Sequence, residues 1–500
     1  MIAYIVVPAA LGAAILLINY LSPKDLLSHV PTHSFAGDNS RKRYMTDLKS
    51  LLESGYRRYN KAGQAFKVTI PVGGYSVKYR VILPKDHLEE IKHRSNDVFS
   101  WQLASRVIFA QDYTGAPDRG PWSGKALRVG IHQNLKDITA RLERRISDYF
   151  DDNLPQRKGQ VASVDFMGFF VPTITHVTNA LLVDERLSSD PEWVRQTSEF
   201  AVNRYGAADD VRQWPPYLSA LVAPFIPSVK RLRQQRKYVM DKMRPVYEDL
   251  RAQGLLEKKS RRKGAFGYEW LWSGSPDDVT LQDFSDTMMR TLIASIHTTA
   301  KTISVAFVDL LTRPDLFEEL KTEAREAVDE DGSVDLEKLV KLDCFLKESQ
   351  RLSPVFLLTM NRMLTEDYEF KCSGLKLPKG TMIMAPAAAI ATDPETFRDA
   401  NAFDGHRYLR MREDHKESAS SLVLGMSTID SLGFGLGNQA CPGRFLAVNN
   451  LKLMMAKLMV GWDLEIAKNG REYSGPPPQM EYNDFSVVPP GEFSMCLRKL

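Results

Sequence analysis

The amino-acid sequence predicts a mostly helical α+β fold with a small, segregated β region and one N-terminal transmembrane helix. Three observations carry this prediction: an uncharged N-terminal run, a long helical pattern without proline or glycine, and a group of short strand patterns after Pro354. Helices and strands that are segregated along the chain, rather than alternating, are typical of the α+β class.

The N-terminal segment from Ile2 to Leu21 contains no charged residue, and the first charge is Lys24. A helix of this length spans about 30 Å, which matches the hydrocarbon core of a bilayer. The segment lacks the basic start and small-residue cleavage site of a secretory signal peptide. Basic residues follow it, so we expect a signal-anchor with the body on the cytosolic side. The predicted division is an anchor over 1–22, a hinge over 23–40 and a catalytic body over 41–500.

The body begins with helical periodicity from Tyr44 to Tyr59. Two segments with alternating apolar and polar residues then flank Gly73 and Gly74, which predicts a β-hairpin. Further along, Thr280 and Asp283 form a capping-box pattern before a helix that runs to Arg313 and ends at Pro314. After Pro354, short strands are predicted at Tyr368 to Lys371, Lys376 to Leu377, and Thr381 to Met384. The last helix is predicted from about Gly443 to Val460.

Composition excludes several classes of protein. A net charge of +4 over 500 residues does not indicate a nucleic-acid binder. The four cysteines, Cys344, Cys372, Cys441 and Cys496, are far apart in the sequence. Neither a disulfide framework nor a zinc ribbon fits this spacing. The chemistry must therefore be sought in local motifs.

The strongest motif is the run FGLGNQACPGR from Phe434 to Arg444. Its glycines allow a tight turn, and Cys441 comes just before the last predicted helix. The free N–H groups at a helix start stabilise a thiolate, and a thiolate is a good metal ligand. For an isolated cysteine, a buried structural role is the alternative. The glycine spacing around Cys441 favours the ligand.

This motif resembles the haem-binding loop of the cytochrome P450 family, F-G-x-G-x-x-x-C-P-G. The resemblance implies that Cys441 is the proximal ligand of the haem iron and that its thiolate favours O–O cleavage. Family members usually have His or Arg where this chain has Gln439, as a partner for a haem propionate. A neutral amide gives no charge-assisted bond, so Arg128 is our candidate for that role. The other haem-binding residues that the resemblance implies are Phe434, Gly435, Gly437 and Gly443.

Two further motifs resemble the same family. Glu348 and Arg351 match its E-x-x-R pair, and Arg407 takes the place of the downstream arginine that closes a buried structural network. The segment ASIHTT, Ala294 to Thr299, resembles the oxygen-activation motif in the long helix. There Thr298 would relay protons, and His297, whose ordinary pKa is near 6.5, replaces the usual acid. A structural role for His297, and a bond from the Thr298 hydroxyl to its own helix, are the alternatives.

The resemblance covers the chain from about residue 41 to the end and implies a haem-thiolate monooxygenase. Histidine followed by two threonines is a pattern associated with fungal secondary-metabolism members. The implied partners are haem b, dioxygen, a membrane and an NADPH-cytochrome P450 reductase. The implied location is the endoplasmic reticulum membrane, single-pass. The implied substrate is a lipophilic terpenoid or polyketide-derived molecule.

Two alternatives remain open at this stage: a haem-thiolate isomerase or dehydratase that needs no reductase, and an anchored, non-catalytic helical binding protein. Most of the segments expected to touch substrate by resemblance are apolar, although each could be ordinary core. These segments are Phe99 to Phe109, Pro215 to Phe225, Leu292 with Ile293, Val355 to Thr359, and Asp484 to Ser486.

Overall fold

A computed structural model describes residues 26–70, 78–118, 120–254, 258, 260–414 and 416–500. The predicted anchor over 1–22 and the first residues of the hinge lie outside the described residues. Within the described part, helices dominate and the strands form small sheets, which confirms the predicted α+β class.

The helices of four or more residues in the described ranges are, in chain order, α1 Arg41–Arg58, α2 Lys85–Ile91, α3 Trp101–Ile108, α4 Gln111–Thr114, α5 Ser123–Asn153, α6 Phe166–Leu182, α7 Glu185–Ser188, α8 Pro191–Arg212, α9 Pro216–Val222, α10 Pro227–Ala252, α11 Gly267–Gly274, α12 Leu281–Leu311, α13 Pro314–Ala327, α14 Val340–Leu352, α15 Ala387–Ala391, α16 Arg407–Asp414 and α17 Arg444–Gly461. Short 3₁₀ turns add to these.

The strands are β1 Thr32–His33, β2 Phe66–Thr69, β3 Tyr79–Ile82, β4 Phe99–Ser100, β5 Val161–Asp165, β6 Thr359–Leu364, β7 Tyr368–Glu369, β8 Lys376–Leu377, β9 Met382–Ala385, β10 Trp462–Lys468, β11 Arg471–Glu472, β12 Glu481–Asn483, β13 Ser486–Val488 and β14 Phe493–Lys499. The largest sheet has the order β1-β2-β3-β9-β6-β4, and a second has the order β11-β10-β14-β5. Two strand pairs, β7-β8 and β12-β13, complete the β region.

The predicted hairpin is confirmed in its pairing, because β2 and β3 are antiparallel with Phe66 opposite Ile82. Its turn at Gly73 and Gly74 lies outside the described residues. The strands predicted after Pro354 are confirmed within two residues at each end. β12 and β13 form an antiparallel pair in which Asn483 lies opposite Ser486. Asp484 lies between these strands with a positive φ of 53°.

The long helix α12 is the central element of the fold. Its capping box is present as predicted: the Thr280 hydroxyl accepts from the Asp283 N–H at 3.1 Å. The helix contacts α6, α8, α10, α14 and α17. Among the described helices it alone is long and apolar enough to cross a membrane, but most of it is buried inside the protein. It is therefore a core helix and does not bear on the predicted anchor.

The last helix, α17, is enclosed over most of its length. From Val448 to Met459 nearly every side chain is buried, because α17 packs against α5, α13 and α12 at once. A helix enclosed on all sides is apolar around its circumference. Consequently α17 is fixed by packing on several sides from Val448 onward, while its first turn is partly exposed.

A buried acid joins α12 to α14. The Asp309 carboxylate accepts a 2.6 Å hydrogen bond from the Ser349 hydroxyl, and an ion pair with Arg313 spans 3.6 Å. Burial raises the pKa of Asp309 from 3.8 to about 6, with the Ser349 and Arg313 contacts opposing the rise. Ionisation of Asp309 is therefore less favourable in the folded protein than in the unfolded chain.

The pKa of Asp309 predicts how its replacement depends on pH. A raised folded-state pKa means that the folded state loses stability as the pH rises from 3.8 to about 6. Asp309→Asn removes this loss, so we expect higher stability at neutral pH, by at most about 3 kcal/mol. The gain should vanish as the pH falls toward 4, a value near the ordinary pKa of Asp. Thermal unfolding of the wild type and of Asp309→Asn, from about pH 4 to neutral pH, measures this gain in stability. The control is Asp463→Asn, which replaces a more exposed acid. Lower stability of Asp309→Asn at neutral pH would contradict the argument.

Candidate active site

The loop before α17 requires glycine at two positions. Gly435 and Gly437 have φ values of 74° and 67°, the left-handed region that disfavours other residues. A Cβ atom at Gly437 would lie 1.9 Å from the carbonyl oxygen of Lys92. The N–H of Asn438 donates to this same oxygen at 2.9 Å. The loop therefore lies against the segment that follows α2, and the glycine spacing is a steric requirement.

Cys441 lies at the end of this loop, two residues before the Gly443 N-cap of α17. Its N–H donates to the Phe434 carbonyl at 2.8 Å, and its side chain is partly exposed. The Arg444 guanidinium donates to the Cys441 carbonyl at 3.0 Å. Burial lowers the pKa of Arg444, and the charge of Cys441 acts in the opposite direction. A helix N-terminus and an arginine both favour the thiolate form of a nearby cysteine.

Gln439 and Arg128 were both predicted to contact the cofactor. The Gln439 side-chain amide donates to Asn96 at 3.3 Å, so it links the loop to the segment before α3. Arg128, on α5, donates to the Asn438 carbonyl at 3.0 Å. Its exposed guanidinium thus lies beside the cysteine loop, where an acidic group of a cofactor could reach it. Its role toward a propionate stays a prediction.

The carboxylate of Glu348 is fully buried between two arginines. Arg351 binds it in bidentate fashion, with both N–O distances 2.8 Å, and Nε of Arg407 lies 3.1 and 3.2 Å from its two oxygens. The Asp404 N–H adds a bond of 3.0 Å. The remaining N–H groups of both arginines donate to backbone carbonyls of residues 391–402. The structure therefore brings the three predicted network residues together.

This network reaches the cysteine loop through one side chain. Gln350, between Glu348 and Arg351 on α14, is buried, and its amide lies against Gly433. A Cβ atom at Gly433 would come within 2.4 Å of the Gln350 amide oxygen. Gly433 immediately precedes Phe434, the first residue of the motif. The helix that holds the buried carboxylate therefore also supports the start of the loop.

The centre of α12 has one open face. Most side chains from Phe284 to Leu310 are buried, yet Ala294 is exposed and Thr298 is partly exposed. The Thr298 hydroxyl donates to the Ala294 carbonyl at 2.6 Å, as the alternative reading of a mid-helix threonine requires. Its oxygen can still accept a hydrogen bond from the open side. Thr298 therefore presents a hydrogen-bond acceptor, its hydroxyl oxygen, on the open face of α12.

His297 points toward a different neighbour. Its Nε2 lies 3.0 Å from the Ser198 carbonyl on α8. Because a carbonyl only accepts, Nε2 carries the proton and donates it. Burial lowers the pKa of His297, with the bond to Ser198 opposing, so the ring is neutral at neutral pH. His297 thus joins α8 to α12, and any proton transfer by it would have to use Nδ1.

Lys301 is a polar residue of this helix that sequence reasoning missed. Its ammonium donates to the Ser486 hydroxyl at 2.5 Å, and burial lowers its pKa to about 8. The acid nearest in sequence to Ser486, Asp484, is held by Arg80 through bonds of 2.5 and 2.8 Å. A lysine within the apolar run after Thr299 was the signal that could have identified it.

The structure places the segments that were expected to touch substrate in different parts of the protein. Leu292 and Ile293 are buried in the main core, so the open face of α12 belongs to their neighbour Ala294 and to Thr298. Phe356 packs on Phe485 with ring centroids 5.6 Å apart, within a separate apolar cluster.

The residues present fit a haem. A partly exposed cysteine at a helix start provides the thiolate, and α17 packs against α12, whose open face carries Thr298. An accessible patch in the middle of a core helix indicates a space that apolar side chains do not fill. Arg128 and Arg444 place positive charge beside the loop. Among the described residues, no group of three or more His, Cys, Asp or Glu is placed to hold a metal ion.

The cytochrome P450 family model matches residues 125–497, so the chain belongs to the cytochrome P450 family. It is 29% identical over 485 residues to cytochrome P450 monooxygenase ccsG of Aspergillus clavatus, covering 95% of this chain and 94% of that protein. It is 31% identical to cytochrome P450 monooxygenase CYP2 of Pyricularia oryzae, with 90% and 94% covered. Pyrichalasin C-7 hydroxylase of Pyricularia grisea is 29% identical, with 88% and 87% covered.

A solved structure confirms the fold. Retinoic acid bound cyanobacterial CYP120A1 superposes with a TM-score of 0.67, covering 94% of this chain and 99% of that chain at 17% identity. The chain is therefore a haem-containing oxidoreductase that incorporates oxygen, a cytochrome P450 monooxygenase related to fungal secondary-metabolism enzymes.

The buried carboxylate network predicts that replacing Glu348 destabilises the protein much more than replacing Glu319 does. Glu348→Gln leaves two buried guanidinium groups without their counter-charge, which costs about 3–5 kcal/mol. We expect a strongly lowered unfolding temperature and a lower ratio of bound haem to protein. The matched control is Glu319→Gln, which removes a partly exposed partner of His406 and Lys341 and should cost less than about 1 kcal/mol. Equal haem content and equal unfolding temperatures in the two variants would contradict the role of the network.

Proposed function

We propose that this enzyme hydroxylates, or further oxidises, a lipophilic fungal secondary metabolite of terpenoid or polyketide origin. Electrons come from NADPH through a reductase. The observation that carries the proposal is the Thr298 hydroxyl on the open face of α12, the helix that packs on the cysteine-bearing helix. Relatives across nearly the whole chain are named as monooxygenases and a hydroxylase, which supports the reaction class.

In the proposed mechanism the haem, when bound, supplies dioxygen activation, and the protein supplies the thiolate, protons and the shape of the site. Cys441 would hold the haem iron. Thr298 offers a hydroxyl whose oxygen can accept a hydrogen bond and whose proton is donated to the Ala294 carbonyl. His297 fixes the distance between α8 and α12 by its bond to Ser198. We assign it a positioning role.

The proposed docking surface for the reductase lies on α5. Lys125, Arg128, His132 and Lys136 are exposed and recur at helical spacing, so they share one side of the helix. Arg128 joins this basic face to the cysteine loop through Asn438. A positive surface beside the thiolate suits an acidic electron-transfer protein. The proposed N-terminal anchor would hold both proteins at the endoplasmic reticulum membrane, with this domain in the cytosol.

The proposal is tested with full-length protein in membranes, a cytochrome P450 reductase, NADPH and an extract of the producing organism. We expect products heavier by one oxygen atom, and no products when NADPH is omitted. Products that form equally well without NADPH would instead support the isomerase or dehydratase. Failure of the purified protein to bind haem would support the non-catalytic binding protein.

The role of Thr298 is separable from substrate binding. Thr298→Ala removes the hydroxyl, and we expect the fraction of NADPH that ends in product to fall roughly tenfold or more, with a matching rise in hydrogen peroxide. Thr298→Ser keeps the hydroxyl and should preserve this fraction. His297→Gln keeps a donor for Ser198 and should change it less than Thr298→Ala does. Unchanged coupling in Thr298→Ala would remove Thr298 from the mechanism.

A further inference from the structure

Arg204, on α8, is a buried cation without a hydrogen-bond partner in the described part of the chain. Its side chain is 1% exposed, and Nε, Nη1 and Nη2 each lack a partner among the described residues. Its guanidinium carbon lies 3.3 Å from the centre of the Phe109 ring. One face of the charged group is therefore covered by an aromatic ring, while its N–H edges make no hydrogen bond to any residue that the structure describes.

The contact with Phe109 does not compensate for this burial. A desolvated cation–π contact stabilises a cation only modestly. An unpaired buried charge costs more than such a contact returns, and unmade hydrogen bonds add to that cost. Buried polar groups left without partners are rare in native proteins and call for an explanation such as a missing ligand. The guanidinium is therefore poised to receive an acceptor.

A second arginine lies at the same ring. Arg290, on α12, has its guanidinium carbon 5.4 Å from the centre of Phe109. Two positive charges on one aromatic ring raise the local potential and favour an anion there. The two acids of α8 that lie five residues from Arg204 are bound to other arginines, Glu199 to Arg195 and Asp209 to Arg212.

The position of the two arginines suits a substrate of ordinary size. α8 and α12 meet at Ser198 and His297, and again where Arg204 and Arg290 both reach Phe109. Between these two contacts the residue number rises by six along α8, about 9 Å, and falls by seven along α12, about 10 Å. The two segments therefore run antiparallel. Arg290 precedes Thr298 by eight residues, about 12 Å along α12. A molecule with its acidic end at the arginines could extend to Thr298.

We propose that Arg204 and Arg290 form an anion subsite that binds a carboxylate of the substrate, in place of the Phe109 ring. The inference rests on the proposed function, because it gives that substrate an acidic group about 12 Å from the oxidised carbon. Phe109 is the residue that moves. It ends α3 next to Ala110, whose φ of 46° is strained for a residue other than glycine.

The test compares two probes that differ only in charge, lauric acid and methyl laurate. Haem-loaded full-length protein is titrated with each, and binding is followed by the shift of the haem Soret band and by equilibrium dialysis. A charge-assisted bond to Arg204 should make the acid bind about tenfold to a hundredfold more tightly than the ester. Equal affinity of the two probes for the wild-type protein would overturn the proposal.

The variants Arg204→Met and Arg290→Met identify the subsite. Each should bring the affinity ratio close to one, while the affinity for the ester changes little. The matched control is Arg212→Met, a buried arginine of the same helix that pairs with Asp209 and should leave the ratio unchanged. The assignment would be overturned if Arg204→Met kept the wild-type ratio of affinities for the acid and the ester. It would also be overturned if Arg212→Met lowered this ratio as much as Arg204→Met does.

Stability measurements keep the test informative if binding changes for another reason. Because Arg204→Met removes an uncompensated charge, the ligand-free variant should unfold at the same or a higher temperature than the wild type. Laurate should stabilise the wild type and not the variant. Stabilisation by inorganic phosphate but not by laurate would show an inorganic anion site and overturn the substrate assignment. Loss of the thiolate-ligated haem spectrum in the wild type would instead count against the proposed function.

Discussion

If Cys441 is the iron ligand, its sulfur must be ionised and open on one side at the start of α17, and the surrounding structure suits this requirement in three ways. The helix start and Arg444 supply positive potential next to the sulfur. The two left-handed glycines bring the loop onto the Lys92 carbonyl, where no larger residue fits. Packing of α17 on three other helices then fixes the point from which the loop projects.

Buried charges in this protein fall into two kinds. Glu348 with its arginines, and Asp484 with Arg80, are matched pairs with short bonds. Such pairs hold segments that are distant in sequence in one arrangement, which is a role in specificity more than in stability. Lys301 and Arg204 instead lie on helices beside the interior space, and neither is paired with a carboxylate among the described residues. Unbalanced positive charge at that position favours the binding of an anionic ligand.

Local patterns allowed much of this structure to be predicted. The capping box of Thr280, the glycines of the cysteine loop and the E-x-x-R spacing each depend on residues close together in sequence, and each was found where expected. The third network member, Arg407, came from the family resemblance. The even burial of α17 could not be predicted, because it depends on which three helices surround it. The contact of His297 with Ser198 likewise depends on how α8 crosses α12. Arg204 could not be singled out, since nothing in its neighbourhood of the sequence shows that Phe109 covers it.

The most direct measurement is the spectrum of the ferrous carbon-monoxide complex of purified Cys441→Ser, compared with Cys372→Ser, which alters an exposed cysteine. If Cys441 is the iron ligand, the Cys372→Ser protein keeps the red-shifted Soret band of a thiolate-ligated haem, and the Cys441→Ser protein loses it. A Cys441→Ser protein that retains this band would show that another residue binds the iron, and would contradict the central assignment.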